Sequence, residues 1–238
     1  MTSLKLTREQ YIENLFKNYS LVKVFSNKND CKVLHVRHKS LDRDLVIRSF
    51  PQNVAAYEIL CNLSAPNLPE IYDTINLCDG QIVLEEFISG ITVADVMKSG
   101  KYRYRGAKKV LISVCNALDV LHQNGIVHRD IKPENIIISD NGRVVLIDFN
   151  ISRKMSPNTK DTIVMGTVGY ASPEQLGVTA TDSRTDIYAM GVLLNVMITG
   201  KHPSETLAPG KAKKIVKICT AVNPNDRYQS AKKLIEVL

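Results

Sequence analysis

"IVHRDIKPENIII", residues 126–138, sets a polar octet between two β-branched apolar runs, with His, Arg, Asp, Lys, Glu and Asn inside eight positions. Upstream, Val110, Leu111, Val114, Leu118 and Leu121 mark one face of a helix, and Asn124-Gly125 is a C-terminal stop. Downstream, "NIIIS" reads as a strand, Asp140-Asn141-Gly142 as a turn, and "VVLIDFN" as a second strand running into Asp148. The octet is therefore a loop between a helix and a strand, and a hairpin of that size brings Asn135 and Asp148 close together. Such a loop meets the needs of phosphoryl transfer from ATP. Asn135 and Asp148 offer oxygen ligands for magnesium, Asp130 a base beside an acceptor hydroxyl, and Lys132 a cation near the moving phosphate.

Outward from the loop, the chain falls into two halves. Residues 20–50 read as three strands, "LVKVF", "KVLHVRH" and "LVIRSF", broken by "SNKND" and "KSLDRD". Residues 53–63 suit a short helix, "EIYDTINL" and "QIVLEEFI" look like strands joined at "CDG", and residues 91–98 suit a small helix. Beyond residue 106 the period becomes helical: "IYAMGVLLNVMI" (187–198) is apolar almost all round, as a buried helix is, and two amphipathic helices follow on either side of "NPNDRY". The junction lies near "EFISG".

Composition bounds the partners. The 238 residues are 44% hydrophobic and 23% charged, ordinary globular usage with enough length for a sizeable core. The net charge of +7 favours an acidic ligand such as a nucleotide. The lysines at 211, 213, 214 and 217 fall at helical spacing beside Ile215 and Ile218, which reads as a solvated helix face, and no aromatics are interleaved, so no nucleic-acid role is expected. Five cysteines without CxxC spacing suggest neither a disulfide frame nor a zinc site and fit a reducing compartment. No apolar run follows the N-terminal charges and none is long enough to span a bilayer, so a cytoplasmic chain without membrane contact is expected.

The motifs downstream of the octet carry a resemblance. "HRDIKPEN" followed by "IDFN" is similar to the catalytic and metal-binding loops of eukaryotic-type (Hanks-type) serine/threonine protein kinases, found also in bacteria. "GTVGYASPE" (166–174) resembles the end of a kinase activation segment, with Glu174 closing its Ala-Pro-Glu-like motif. "TDIYAMGVLL" resembles the helix whose leading Asp, here Asp186, braces the catalytic loop, and "NPNDRY" supplies Arg227 as partner to Glu174. The resemblance implies an α+β, bilobal fold in a single domain, with a small β-rich N-lobe over about 1–87 and a larger α-helical C-lobe over about 88–238. It implies ATP and Mg2+ (or Mn2+) as cofactors, Asp130, Lys132 and Asn135 as catalytic residues, and Asn135 and Asp148 as metal ligands. Val33, Val46, Arg48, Glu86, Ile88 and Ile137 would contact the nucleotide. His128, Phe149, Glu174, Asp186 and Arg227 would be structural. Arg129 would be structural too and would bind a phosphorylated activation loop, with Thr162 as acceptor and Thr159 and Ser156 behind it, unless these hydroxyls only decorate that loop; Thr167 would belong to the substrate-facing loop. Lys132 with Thr167 accompanies Ser/Thr specificity in the family, and the activation segment favours a protein substrate over a small molecule.

The N-terminal half departs from the family pattern. In "SNKNDCKV" (26–33), Ser26, Lys28 and Cys31 stand where the phosphate-covering loop has glycines that let backbone amides approach phosphate. Lys28 or Lys32 could compensate with charge, although two solvated lysines at a turn is the plainer reading. Arg48 replaces the strand lysine of V-A-I-K, a substitution that keeps charge but changes shape and donor geometry. The helix glutamate that should pair with it aligns with Ala55 or Ala56. Glu85, at the position behind the nucleotide pocket, is the expected partner of Arg48, with Glu58 as the alternative after a shift of the short helix. Asn150 replaces the glycine of Asp-Phe-Gly, a mild change because Asn tolerates a left-handed backbone.

Two readings follow. In one the chain is an active serine/threonine kinase with a rebuilt phosphate grip; in the other it is a pseudokinase, a nucleotide-binding or regulatory module. The full set Asp130, Lys132, Asn135 and Asp148 favours the first; the lost glycines and strand lysine favour the second. Since 238 residues leave no room beyond the kinase fold for a sensor or anchor, any regulatory partner is expected in trans.

Overall fold

The computed structural model describes residues 6–155, 166–177 and 180–238. The chain divides into two compact units, Met1–Ser64 with Pro69–Ile88, and Ala65–Leu68 with Ser89–Leu238.

The N-terminal unit opens with a helix that periodicity alone did not announce, α1 (Arg8–Leu15). Its signal is a capping box in "TREQ": the Thr7 hydroxyl accepts from the Gln10 N–H at 3.3 Å, and the Gln10 side chain accepts from the Thr7 N–H at 3.0 Å. An antiparallel sheet follows, of β1 (Tyr19–Lys28), β2 (Cys31–His38), β3 (Asp44–Phe50), then α2 (Ala55–Leu60), β4 (Ile71–Leu77) and β5 (Gly80–Glu86), in the order β1-β2-β3-β5-β4. Ile12 of α1 is buried with Leu34, Val36, Leu45, Ile47 and Ile82 on one face of that sheet. Strand alternation puts Val46 and Arg48 on the other face, where their direct partners are His35 and Glu85, and Val33 and Val83.

The β1–β2 turn is the tight hairpin that Asn29-Asp30 permits. Strand pairing runs to Lys28 opposite Cys31, so only Asn29 and Asp30 form the turn, with φ of 51° and 59°. Both residues tolerate the left-handed region that a two-residue hairpin requires. The clean alternation expected of β1 is absent: register shifts between Leu21 and Lys23 and between Val24 and Ser26 leave Leu21, Val22, Val24 and Phe25 all about half exposed. Bulges of this kind twist an edge strand away from further pairing.

The C-terminal unit contains β6 (Gly90–Thr92), α3 (Val93–Lys98), α4 (Tyr104–Gln123), β7 (Ile126–Val127), β8 (Ile136–Ser139), β9 (Val144–Leu146), β10 (Arg153–Lys154), α5 (Ser183–Thr199), α6 (Lys211–Cys219) and α7 (Ala231–Val237). Short 3₁₀ turns at Pro133–Asn135, Pro173–Leu176 and Pro224–Asp226 punctuate it. The strands form two small sheets, β6-β8-β9 and β10-β7. α5 is buried on nearly every side, as its sequence predicts. At Gly191 a Cβ would lie 2.3 Å from the Cβ of Cys219, so the glycine permits the close approach of α5 and α6. Asn195, the one amide in that apolar run, is buried and pins the following loop: its Nδ2 donates to the Lys201 and Thr206 carbonyls at 2.8 Å each, and its Oδ1 accepts from the Ala208 N–H at 2.8 Å. Among the described residues no helix is long and apolar enough to cross a membrane.

Candidate active site

The charged loop begins where α4 stops and is held from beneath by one carboxylate. Asp186, in the first turn of α5, is fully buried. Its Oδ1 accepts from the Arg129 N–H at 2.8 Å, and its Oδ2 accepts from the His128 N–H at 2.9 Å and from Nε2 of His122 at 2.8 Å. Burial opposes its ionisation, but the His122 hydrogen bond leads the contacts that outweigh burial and hold it below the usual aspartate value. The brace matters because Arg129 has φ of 71°, a left-handed conformation costing a non-glycine residue on the order of 1–3 kcal/mol unless its surroundings enforce it. Asp148 shares this conformation, with φ of 70°.

His128 links the two loops. Its Nε2 donates to the Ile147 carbonyl at 3.2 Å and its Nδ1 accepts from the Asp130 N–H at 3.2 Å, the pattern of a neutral ring, and burial lowers its pKa. Phe149 packs edge-on against it with centroids 5.1 Å apart. The hairpin β8–β9 and the bond from the Ile147 N–H to the Asn135 carbonyl, 2.9 Å, bring the Asn135 and Asp148 segments side by side.

Asp130, Lys132, Thr167 and Asn135 form a closed set. The Thr167 hydroxyl donates to Asp130 Oδ1 at 2.6 Å, and Lys132 Nζ donates to Asp130 Oδ2 and to the Thr167 hydroxyl at 2.7 Å each. Asn135 Nδ2 donates to Asp130 Oδ2 at 2.8 Å and to its carbonyl at 2.9 Å. Burial raises the Asp130 pKa, yet the hydrogen bonds from Lys132 and Thr167 prevail and hold it below the usual value. Asp130 is thus a carboxylate at neutral pH, and Oδ1 retains a lone pair for a further donor.

A second buried ion pair ties the end of the activation-like segment to the helices. Arg227 meets Glu174 fork to fork, Nη1 to Oε1 at 2.6 Å and Nη2 to Oε2 at 2.8 Å. Its remaining donors go to the carbonyls of Ala221, Arg184 and Val222. Sequence reasoning missed three contributors. Gln175 Nε2 donates to the Arg129 carbonyl at 2.9 Å, joining this segment to the charged loop. Thr185 donates to Glu174 at 3.0 Å, and His122 contacts Asp186 as described. The first had a visible signal, since Ser172-Pro-Glu-Gln175 is a capping box with proline at the first position.

The N-terminal unit resolves the partner of Arg48. Its Nε donates to Glu85 Oε1 at 2.7 Å, and both side chains are buried. Glu58, the alternative, instead accepts from Asn76 Nδ2 at 3.0 Å. Register decides this, because β3 and β5 pair Val46 with Glu85 and leave Arg48 one step along the same face. Lys32 is not a loose charge at the turn: its Nζ sits 2.6 Å from Glu9 Oε2 of α1. Val46 and Ile88 are buried and Val33 half-buried, while the Glu86 N–H donates to the Glu70 carbonyl at 2.8 Å. In the C-terminal unit, Ile137 is half-buried on β8. Thr162, Thr159 and Ser156 lie outside the described residues.

The donor set suits a hard divalent cation. Asn135 commits its amide nitrogen to Asp130, so its amide oxygen is the atom left to face a cation, and magnesium takes oxygen ligands from one or two side chains together with phosphates.

A model of the protein kinase domain matches residues 18–238. A probable serine/threonine-protein kinase of Clostridium perfringens is 33% identical over 216 residues, covering 80% of this chain and 31% of that protein. The serine/threonine-protein kinase PknB of Mycolicibacterium smegmatis is 35% identical over 168 residues, 67% of this chain and 26% of that one. PknB of Mycobacterium tuberculosis is 32% identical over 219 residues, 79% and 34% respectively. The chain spans about a third of the length of these relatives or less.

Proposed function

The chain belongs to the protein kinase family, and from that premise we propose that it is a serine/threonine kinase transferring the ATP γ-phosphate to a protein hydroxyl. The two units are read as the lobes of one kinase domain. The observation that carries the reading is the ring of Lys132, Thr167 and Asp130, with Asn135 closing it. In this reading Asp130 accepts the proton of the substrate hydroxyl as that oxygen bonds to the γ-phosphorus and the bond to ADP breaks. Lys132 holds Asp130 ionised and presents a cation to the transferring group. Thr167 orients Asp130 by donating to one oxygen and leaves a lone pair for the incoming hydroxyl. Asn135 and Asp148 would hold magnesium or manganese, which when bound offsets phosphate charge. In the N-terminal unit, Val33, Val46, Glu86 and Ile88 would contact the base, and Arg48 would stand in for the family's lysine.

The turn without glycines and the engagement of Arg48 by Glu85 favour the second reading, a nucleotide-binding or regulatory module. One assay separates them: magnesium-dependent ATP turnover on a generic basic protein, for wild type, Asp130→Asn and Asp148→Asn. Turnover is expected in the wild type. Loss of the general base should slow Asp130→Asn by roughly 10²–10⁴-fold, while Asp148→Asn should raise the magnesium requirement. Turnover unchanged in both variants contradicts the kinase reading. A folded wild type that binds ATP without turning it over supports the second.

A further inference from the structure

The first turn of α1 holds the β1–β2 turn through Asp30 and the start of β2 through Lys32. Arg8 is only 9% exposed although it is the first residue of its helix. Its Nη2 donates to Asp30 Oδ2 at 2.6 Å, and its Nη1 donates to the Asp30 carbonyl at 2.9 Å and to the Ser49 hydroxyl at 3.2 Å. Its Nε lies 3.5 Å from Asp79 Oδ2, and its backbone N–H donates to Asp79 Oδ1 at 2.8 Å. The next residue, Glu9, holds Lys32 at 2.6 Å. Arg8 therefore fastens Asp30 to the end of β3 and to the β4–β5 turn, and Glu9 ties Lys32 of β2 to α1. Gly80, next along that turn, has φ of 140°, and a Cβ there would collide first with the Phe50 carbonyl and only then approach Arg8 Cδ, at 3.0 Å.

We propose that α1 is a clasp that sets the β1–β2 turn for nucleotide binding, with Arg8 as its positioning residue. The proposal rests on the kinase reading above, in which this turn covers the ATP phosphates. Two physical needs of this chain point to it. With Ser26, Lys28 and Cys31 around this turn where the family has glycines, the backbone amides adapt to a phosphate less freely, so their placement has to be set before the ligand arrives. The turn also carries Asp30, whose charge repels a polyphosphate; Arg8 offsets that charge while tethering the residue.

The test is steady-state kinetics with ATP and the protein substrate varied in turn, the other held saturating, and direct MgATP affinity, for wild type, Arg8→Ala, Arg8→Lys and the pair Arg8→Ala with Asp30→Asn. A lost positioning contact that acts equally in ground and transition states raises KM and spares kcat. Arg8→Ala is therefore expected to raise KM and Kd for ATP by about tenfold, with kcat within about twofold and KM for the protein substrate unchanged. Arg8→Lys, which keeps the charge but not the fork, should fall between, and it serves if Arg8→Ala does not fold. Asp30→Asn should recover part of the affinity lost in Arg8→Ala, which a merely structural role would not produce. A wild type that turns over ATP, beside a folded Arg8 variant with unchanged KM and Kd, overturns the clasp alone. So does a fall in kcat with KM untouched, or no recovery in the double variant. A wild type that neither binds nor turns over ATP overturns the kinase reading, and the clasp with it.

Discussion

Arg48 and Glu85 meet because a central strand leaves them no other environment. β3 is buried from Leu45 to Phe50, and an arginine there keeps its charge at any working pH, so a carboxylate must come to it. The sequence named both candidates; only strand register, which composition does not encode, chose Glu85 over Glu58. Removing one member of a buried pair leaves the other charge stranded, at a cost of about 3–5 kcal/mol, whereas replacing both with apolar residues of similar volume is often neutral. Arg48→Ala is thus expected to lower unfolding stability by several kcal/mol, and Arg48→Met combined with Glu85→Leu to recover most of it. Urea unfolding measures both; a double variant as unstable as the single one contradicts the argument. Nucleotide affinity distinguishes a second role. If Arg48 also serves phosphate, titration calorimetry with MgATP should show weaker binding in Arg48→Ala and retained binding in Arg48→Lys.

At the scale of elements, the reliable signals were those in which chemistry and period agree. The charged loop, the helix stop at Asn124-Gly125 and the hairpin after Asn135 were legible because turn residues fall at fixed offsets from apolar runs. α1 was not, since eight residues give too few apolar repeats to establish a period, although its capping box was written in Thr7 and Gln10. The Glu174–Arg227 tie joins elements 53 residues apart and was legible only through the resemblance. Its pH behaviour can be derived. Burial raises the Glu174 pKa, but Arg227 and the other donors prevail and set it below the ordinary 4.5. The native state therefore binds fewer protons than the unfolded state in that range, so stability rises with pH there. The contribution is fully present above about pH 4.5 and is lost as pH falls through the folded value. Chemical unfolding from pH 7 to 3 should show a shallower acid decline in Glu174→Gln than in wild type, from a lower plateau at neutral pH. An equal decline would mean that Glu174 does not titrate with a depressed value.

For the whole molecule, division into a mostly β half and a mostly α half was legible from the change of period near residue 106. The short exchange that assigns Ala65–Leu68 to the C-terminal unit was not, because it rests on long-range backbone bonds such as the Leu146 N–H to the Asn67 carbonyl at 3.0 Å. Charge is the other property that belongs to the whole chain. With 31 Lys and Arg against 24 Asp and Glu, the molecule carries +7, and a field of that sign draws anions to it beyond any single contact. Screening shortens its reach from about 10 Å at 0.1 M salt to roughly 3 Å at 1 M. In the kinase reading, kcat/KM for MgATP should fall several-fold between about 0.05 and 0.5 M sodium chloride, with kcat nearly constant, since salt removes attraction during encounter and leaves the bonded ring at Asp130 intact. An acidic substrate should lose kcat/KM with salt more steeply than a basic one, because only the first is drawn by the same field. Paired salt titrations with an acidic and a basic protein of similar size measure this directly. A steeper loss for the basic substrate would place recognition in a local acidic surface instead of in the field of the molecule.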